Sequence, residues 1–186
     1  MSGPATARRT RRAVFLDRDG VLNQAVVRDG RPYPPASVEE LHLLAGAEDA
    51  CRRLAAAGWL LICVTNQPDI ARGTQIRQRV DAINEALRRR LGLAAIRVCP
   101  HDDGDGCACR KPRPGLLLDA AVDFDIDLVS SIMVGDRWSD IEAGKRAGCR
   151  TVFIDHGYAE KRPGEMDFAC AGLPEALPWI LKMASS

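Results

Sequence analysis

Asp17 and Asp19 lie two positions apart in the string FLDRDGVLN, residues 15–23, directly after the apolar run Ala13 to Leu16. Such a run reads as a buried strand that stops at the first carboxylate. In an open parallel α/β sheet, ligands bind beyond the carboxyl ends of the strands. Two carboxylates held there can divide the labour, one attacking as a nucleophile while the other moves protons for the leaving group and for water. Calcium loops and ordinary turns use the same letters, so the pair alone does not define the chemistry. Three further polar clusters follow in order: VTNQ at residues 64–67, Lys111 within CRKPRPG at 109–115, and VGDRWSD at 134–140. Singly, Thr65 and Asn66 could form a strand-end turn, Lys111 could be a solvated lysine, and Asp136 with Asp140 could sit at a capped helix start. Each cluster follows a strand-like segment or lies on a connecting loop, so one edge of one sheet could gather all of them.

The cysteines carry a second chemistry. Cys51, Cys63, Cys149 and Cys170 are scattered, mostly among apolar neighbours, and read as inert buried thiols. Cys99, His101, Cys107 and Cys109 are instead packed together, with five residues between His101 and Cys107. Three thiolates and an imidazole make a closed tetrahedral zinc site with no open coordination position, which is a structural arrangement. The loop holds Gly104 and Gly106 and has no apolar residue between His101 and Cys107, so it has no core of its own. Zinc would hold it and fix Arg110 and Lys111; the alternative is a reduced, flexible loop.

The elements that must position these groups alternate strand and helix. Residues Ala47 to Ala57 carry helical spacing and stop at Gly58, and Trp59 to Thr65 forms the second strand. Thr74 is a candidate cap for a helix running to Leu91, with Ile76, Val80, Ile83, Leu87 and Leu91 on one face and Gly92 ending it. Ile96 to Cys99 is a third strand, and a helix through Leu116, Leu117, Ala120 and Ala121 begins near Pro114. Strands at Ser131 to Val134 and Thr151 to Ile154 flank a helix from Ser139 to Ala147, and a last helix covers Pro174 to Met183. The Pro/Gly-rich stretch Asp29 to Ala36 reads as a flap. The expectation is a three-layer, Rossmann-like α/β fold with a parallel sheet and right-handed crossovers. Its boundaries are a basic flexible tail at residues 1–12 and a single domain at residues 13–186.

Composition narrows the function classes. The chain has 186 residues and a formal net charge of +1, enough for one domain with a real core and without global bias toward nucleic acid or membrane. No apolar stretch reaches the roughly 18 residues that span a bilayer. Arg8, Arg9, Arg11 and Arg12 precede an apolar segment that contains Asp17, which is no secretory signal. These arginines read as a solvated tail. Expected partners are therefore a small metabolite, with no nucleic acid and no membrane, acting on a cytoplasmic monomer.

Taken together, the order of nucleophile Asp, hydroxyl residue, Lys and Gly-Asp-x-x-x-Asp resembles the haloacid dehalogenase (HAD) superfamily of phosphohydrolases, over nearly the whole chain. The resemblance implies a HAD-like sheet with a minimal cap and a magnesium-dependent phosphatase acting through an aspartyl-phosphate. It implies that Asp17 attacks phosphorus and binds Mg2+. Asp19 would offer its backbone carbonyl to the metal while its side chain serves as acid and then base. Asp136 would supply a third protein oxygen, and Asp140 would orient the metal's water shell. Thr65 and the following backbone amides would bind phosphoryl oxygens, with Lys111 neutralising charge. Asn66, Gln67, Arg110 and Arg137 would contact substrate. An acid/base at Asp19 separates phosphatases from the dehalogenase branch, which lacks one there.

The zinc loop in a chain without a larger cap is similar to two families. TNQPDIARG, residues 65–73, resembles the D-glycero-D-manno-heptose 1,7-bisphosphate phosphatases. The five-residue gap in the zinc loop resembles the histidinol-phosphate phosphatases. Pro68-Asp69 and Arg137 depart from the usual heptose pattern at positions that touch substrate. Heptose bisphosphate is the favoured substrate and histidinol phosphate the alternative, since Asp69, Asp102 or Asp103 could pair with its amine. A zinc-stapled binding module without catalysis is a third reading, disfavoured by the intact set of Asp17, Asp19, Lys111 and Asp136.

Overall fold

The apolar runs form a six-stranded parallel sheet in a computed structural model that describes residues 10–28 and 31–183. In chain order the elements are β1 (Ala13–Leu16), β2 (Val26–Arg28), β3 (Arg31–Tyr33), α1 (Ala47–Ala56), β4 (Leu60–Asn66), α2 (Arg77–Leu91) and β5 (Ala95–Cys99). They continue with α3 (Gly115–Phe124), β6 (Ile132–Gly135), α4 (Trp138–Ala147), β7 (Arg150–Ile154), β8 (Phe168–Cys170) and α5 (Leu173–Lys182). The sheet runs β5-β4-β1-β6-β7-β8, and β2 pairs with β3 as a separate antiparallel ribbon.

Strand residues alternate between two cores, as a pleat demands. Val14 and Leu16 of β1, with Leu61, Cys63, Ile132, Val134, Val152 and Ile154, face α1, α2 and α5 through Leu54, Leu87 and Leu177. Ala13 and Phe15, with Ile62, Val64 and Met133, face Leu116, Leu117 and Ala120 of α3 and Ala143 of α4. Both faces of the sheet are covered, which is the three-layer α/β architecture expected from continuous apolar strands. Among the described residues no helix is long and apolar enough to cross a membrane.

Several local expectations need correction. Thr74 does not cap α2: its amide and that of Gln75 both donate to the carbonyl of Asp69, closing a turn that delays the helix until after Ile76. Ile76 is therefore outside the buried stripe and is 52% exposed. The stretch read as a flap contains the β2–β3 ribbon, although Asp29 and Gly30 lie outside the described residues. The strand β8, three residues long, went unread because it is too short to show a period. Residues 11 and 12, within the stretch expected to be a tail, are tied to the fold. Arg11 pairs through its backbone with Asp125 and Asp127, and the Arg12 guanidinium sits 4.6 Å over the ring of Trp59. Residues 1–9 lie outside the described residues.

Candidate active site

β1 is the pivot of the sheet. From it the chain moves to β4 and β5 on one side, then returns to β6, β7 and β8 on the other. A crevice opens at the carboxyl ends of the strands where the winding reverses. A cavity of about 520 Å3 lies there, lined by Asp17, Asp19, Thr65, Asn66, Lys111 and Asp140, with Tyr33 and Pro34 following the ribbon. Asp136 borders an adjoining cavity of about 170 Å3, together with His156 and Tyr158.

Lys111 is the electrostatic hub of this crevice. It is 4% exposed, and its ammonium reaches Asp17 Oδ1 at 2.7 Å, the Val64 carbonyl at 2.8 Å and Asp140 Oδ1 at 2.6 Å. It donates hydrogen bonds to Asp17 and to the Val64 carbonyl, while Asp140 Oδ1 approaches as an ion pair without a well-formed hydrogen bond. Burial opposes its charge, but Asp140 and Asp17 outweigh that and hold its pKa above the usual lysine range. The main chain at Lys111 is fixed from the other side, because Asn66 Oδ1 accepts from its amide and Asn66 Nδ2 donates to its carbonyl, both at 3.1 Å. The side-chain amide of Asn66, expected to touch substrate, holds the lysine main chain, and Asn66 also lines the cavity.

Asp17, Asp136 and Asp140 offer carboxylate oxygens all within 4.8 Å of one another, and all three are buried. Burial pushes Asp17 up to about 6, with Lys111 opposing and Asp140 adding to the rise. Burial, then the charges of Asp17 and Asp140, push Asp136 well above the carboxylate range. Both oxygens of Asp136 are buried without a well-formed hydrogen bond, with the Tyr158 hydroxyl beside them. Three carboxylates against one ammonium leave two negative charges, the complement of a divalent cation. Hard oxygen donors are the set that Mg2+ prefers, so the residues fit that ion. Two glycines make the approach possible. A Cβ on Gly20, whose φ is +89°, would overlap the Asp136 carboxylate, and one on Gly135 would overlap Asp140.

Asp19 is held by a different set of donors. Arg18 Nε donates to its Oδ2 at 3.1 Å, Asn23 Nδ2 to its Oδ1 at 2.9 Å, and Gln67 Nε2 to its Oδ2 at 3.0 Å. Gln67 also donates to Thr65 Oγ1 at 2.8 Å, which frees the threonine hydroxyl proton to point elsewhere. Gln67 is 2% exposed, and its backbone amide is taken by the Cys99 carbonyl. Neither group is available to a substrate, contrary to the sequence expectation, because the loop after β4 turns Gln67 inward beneath Asp19. Arg18, Asn23 and Asn84 were missed. The only sequence signal for Asn84 is a polar residue on the apolar stripe of α2.

Cys99, His101, Cys107 and Cys109 converge at the end of β5. Cys109 Sγ lies 3.2 Å from Cys99 Sγ and 3.5 Å from Cys107 Sγ, and His101 Nδ1 lies 3.3 Å from Cys109 Sγ. A tetrahedral zinc with roughly 2.3 Å bonds to sulfur spaces its ligand atoms about 3.5–3.8 Å apart. The Cys99 and Cys107 sulfurs lie 3.7 Å apart and the shortest pair falls about 0.6 Å below the upper end of that spacing, so the cluster is compact enough to close on zinc through His101 Nδ1. Arg110 leaves the cluster to bond Asp103 Oδ1 at 2.7 Å and the His101 carbonyl at 3.2 Å. The rim arginines of the larger cavity are all matched by acids: Arg110 by Asp103, Arg137 by Glu160 at 2.6 Å and Arg72 by Asp102 at 2.6 Å.

The HAD-hydrolase-like family matches residues 108–175 of the chain. The D-glycero-beta-D-manno-heptose-1,7-bisphosphate 7-phosphatase of Bordetella bronchiseptica is 38% identical over 167 residues, covering 87% of this chain and 88% of that protein. The D-glycero-D-manno-heptose-1,7-bisphosphate 7-phosphatase of Thermosynechococcus vestitus is 34% identical, covering 91% and 95%. The crystal structure of the B. bronchiseptica D,D-heptose 1,7-bisphosphate phosphatase complexed with magnesium and phosphate superposes with a TM-score of 0.80 at 34% identity. That superposition covers 92% of this chain and 98% of that one.

Proposed function

Because the chain belongs to the heptose-1,7-bisphosphate 7-phosphatase family of HAD-like hydrolases, we propose that it removes the 7-phosphate of D-glycero-D-manno-heptose 1,7-bisphosphate. The product is the heptose 1-phosphate, and the enzyme is a magnesium-dependent phosphoric monoester hydrolase. The observation that carries this reading is the buried triad of Asp17, Asp136 and Asp140 around the Lys111 ammonium, beside a separately braced Asp19.

Asp17, Asp136 and the backbone carbonyl of Asp19 hold Mg2+, with Asp140 behind them. The ion when bound supplies positive charge against the phosphoryl oxygens. An Asp17 oxygen attacks phosphorus in line, the bond from phosphorus to the C7 oxygen breaks, and Asp19 gives its proton to that oxygen. Asp19, now a carboxylate, takes a proton from water. The resulting hydroxide attacks the aspartyl-phosphate and releases inorganic phosphate and Asp17. The Thr65 hydroxyl donates to a phosphoryl oxygen while Gln67 orients it. Lys111 supplies a fixed positive charge and has no proton to give at neutral pH. The zinc ligands take no part in bond making; they fix the loop that delivers Lys111. Arg110 and Arg137 stand at the rim as guanidinium partners for the second phosphate.

We further place the enzyme in the cytoplasm as a monomer of one catalytic domain, without nucleic-acid or membrane partners. Seven cysteines with no disulfide among them support a reducing compartment. The decisive experiment compares phosphate release from both anomers of the heptose bisphosphate with release from histidinol phosphate, each with EDTA and with added magnesium. Heptose bisphosphate should be favoured by about a hundredfold or more in kcat/KM, since its second phosphate and hydroxyls are recognised by polar groups. Preference for histidinol phosphate, or no magnesium-dependent release, refutes the reading.

A further inference from the structure

Among the described residues Arg18 is the bulkiest fully buried side chain, and no step above uses its charge. A buried guanidinium needs every donor matched, or the interior expels it. Its Nε and Nη2 fork onto Asp19, with Nη2 lying 3.0 Å from Oδ2, and its Nη1 donates to Asn84 Oδ1 at 2.9 Å. Asn84 is 7% exposed on the face of α2 that otherwise buries Val80, Ile83, Leu87 and Leu91. An amide among those apolar side chains is costly unless it serves a partner, and Arg18 is the partner it has.

We propose that Arg18 and Asn84 are positioning residues that aim the acid/base carboxylate of Asp19 at the leaving oxygen and then at water. The inference rests on the proposed role of Asp19. Asp19 is a short side chain with two free torsions at the edge of a solvent-filled cavity, its side chain 14% exposed. Asn23, Gln67 and Arg18, all buried, restrain it from within the protein. The guanidinium plane is itself free to turn unless a third acceptor fixes it, and Asn84 is that acceptor. The acid/base is thereby referred to the rigid frame of α2 rather than to the loop that carries it. Misplacing a reacting group by about 1 Å costs on the order of a hundredfold in rate.

Asn84→Leu fills the same space on an apolar face, Asn84→Asp keeps the acceptor, and Arg18→Lys keeps the charge but loses the fork. The three variants and Asp19→Asn are assayed on the heptose bisphosphate, whose alkoxide must be protonated, and on p-nitrophenyl phosphate, whose leaving group needs no proton. Aspartyl-phosphate is trapped by rapid quench. Asn84→Leu and Arg18→Lys should lower kcat on the sugar ester about 10- to 100-fold with KM changed less than about threefold. Phosphorylation by p-nitrophenyl phosphate should change less than about threefold, while the aspartyl-phosphate accumulates because its hydrolysis needs the same base. Asn84→Asp should recover most of the loss, which a purely structural role would not give. Equal slowing of phosphorylation by both esters, or wild-type turnover in Asn84→Leu and Arg18→Lys, overturns the proposal. If Asp19→Asn itself lacks the split between the two esters, the role of Asp19 fails, and that failure is visible independently of Asn84.

Discussion

Replacing Asp17 by Asn should remove a specific part of the protein's pH-dependent stability. Burial raises the Asp17 pKa from 3.8 to about 6, a shift of about 2 units or about 3 kcal/mol. A carboxyl whose folded pKa exceeds its unfolded value binds its proton more tightly in the native state. The native state is thus favoured below the unfolded pKa and loses that advantage as pH rises through the folded one. Roughly 2 kcal/mol of the total falls between about pH 4.5 and 7.5. Lys111 stays charged across that window, so the partner it loses in Asp17→Asn adds an offset but no slope. Asp136 shifts in the same direction, in part because of the Asp17 charge, so the difference between the two proteins carries the Asp17 carboxyl together with its effect on Asp136, both of the same sign, while the zinc cluster is common to both. Urea denaturation of wild type and Asp17→Asn at several pH values, in EDTA and in millimolar magnesium, measures it. In EDTA the wild type should lose about 2 kcal/mol relative to Asp17→Asn over that range. Magnesium should restore stability to the wild type at pH 7.5 and much less at pH 4.5, because proton and cation compete for the same oxygens. Identical pH slopes in the two proteins, or a magnesium increment that is the same at both pH values, would refute the reasoning.

In turnover assays Asp17→Asn should retain less than about one part in a thousand of the activity, since an amide cannot form the acyl-phosphate. Lys111→Met should lower kcat by about 100- to 1000-fold, read as phosphate release at saturating substrate, because it removes the ammonium in contact with Asp17 and Asp140. Metal analysis should find about one zinc per chain, and Cys107→Ser should lose it and raise KM before the domain unfolds, as followed by circular dichroism. Gly135→Ala should cost about 1–3 kcal/mol in urea melts, because the new Cβ overlaps the Asp140 side chain.

What the sequence made legible was the chemistry held at strand ends. Asp17, Thr65 and Asp136 follow apolar runs and Lys111 follows a metal-ligand cluster, so one sheet edge could gather them, and the order of the four is what carries the family resemblance. The supporting residues were harder to read. Arg18 sits between two aspartates, where any side chain satisfies the string, and only its lack of exposed surface shows what it does. The resemblance implies that Gln67 and Asn66 contact substrate. In the fold the turn after β4 buries the first beneath Asp19 and bonds the second, at the cavity wall, to the Lys111 backbone. Thr74 has the right chemistry for a helix cap, but Asp69 captures its amide first. Such outcomes depend on long-range geometry: Asn66 meets Lys111 45 positions along the chain, and no local pattern encodes that meeting.

The two hydrogen bonds between Asn66 and the main chain of Lys111 separate loop length from catalytic alignment. The lysine takes its position from the end of β4 and from Cys109, two residues before it. Residues 102–106 bulge outward as a self-capped turn, with Asp102 and Asp105 closing on each other. Residues could be added to or removed from that bulge without displacing the ammonium. The bulge also carries Asp103, which lines the cavity and holds Arg110, so a change in its length would act on what the pocket admits while leaving phosphoryl transfer intact. A change in the spacing between His101 and Cys107 is therefore expected to alter ligand choice more than phosphoryl transfer.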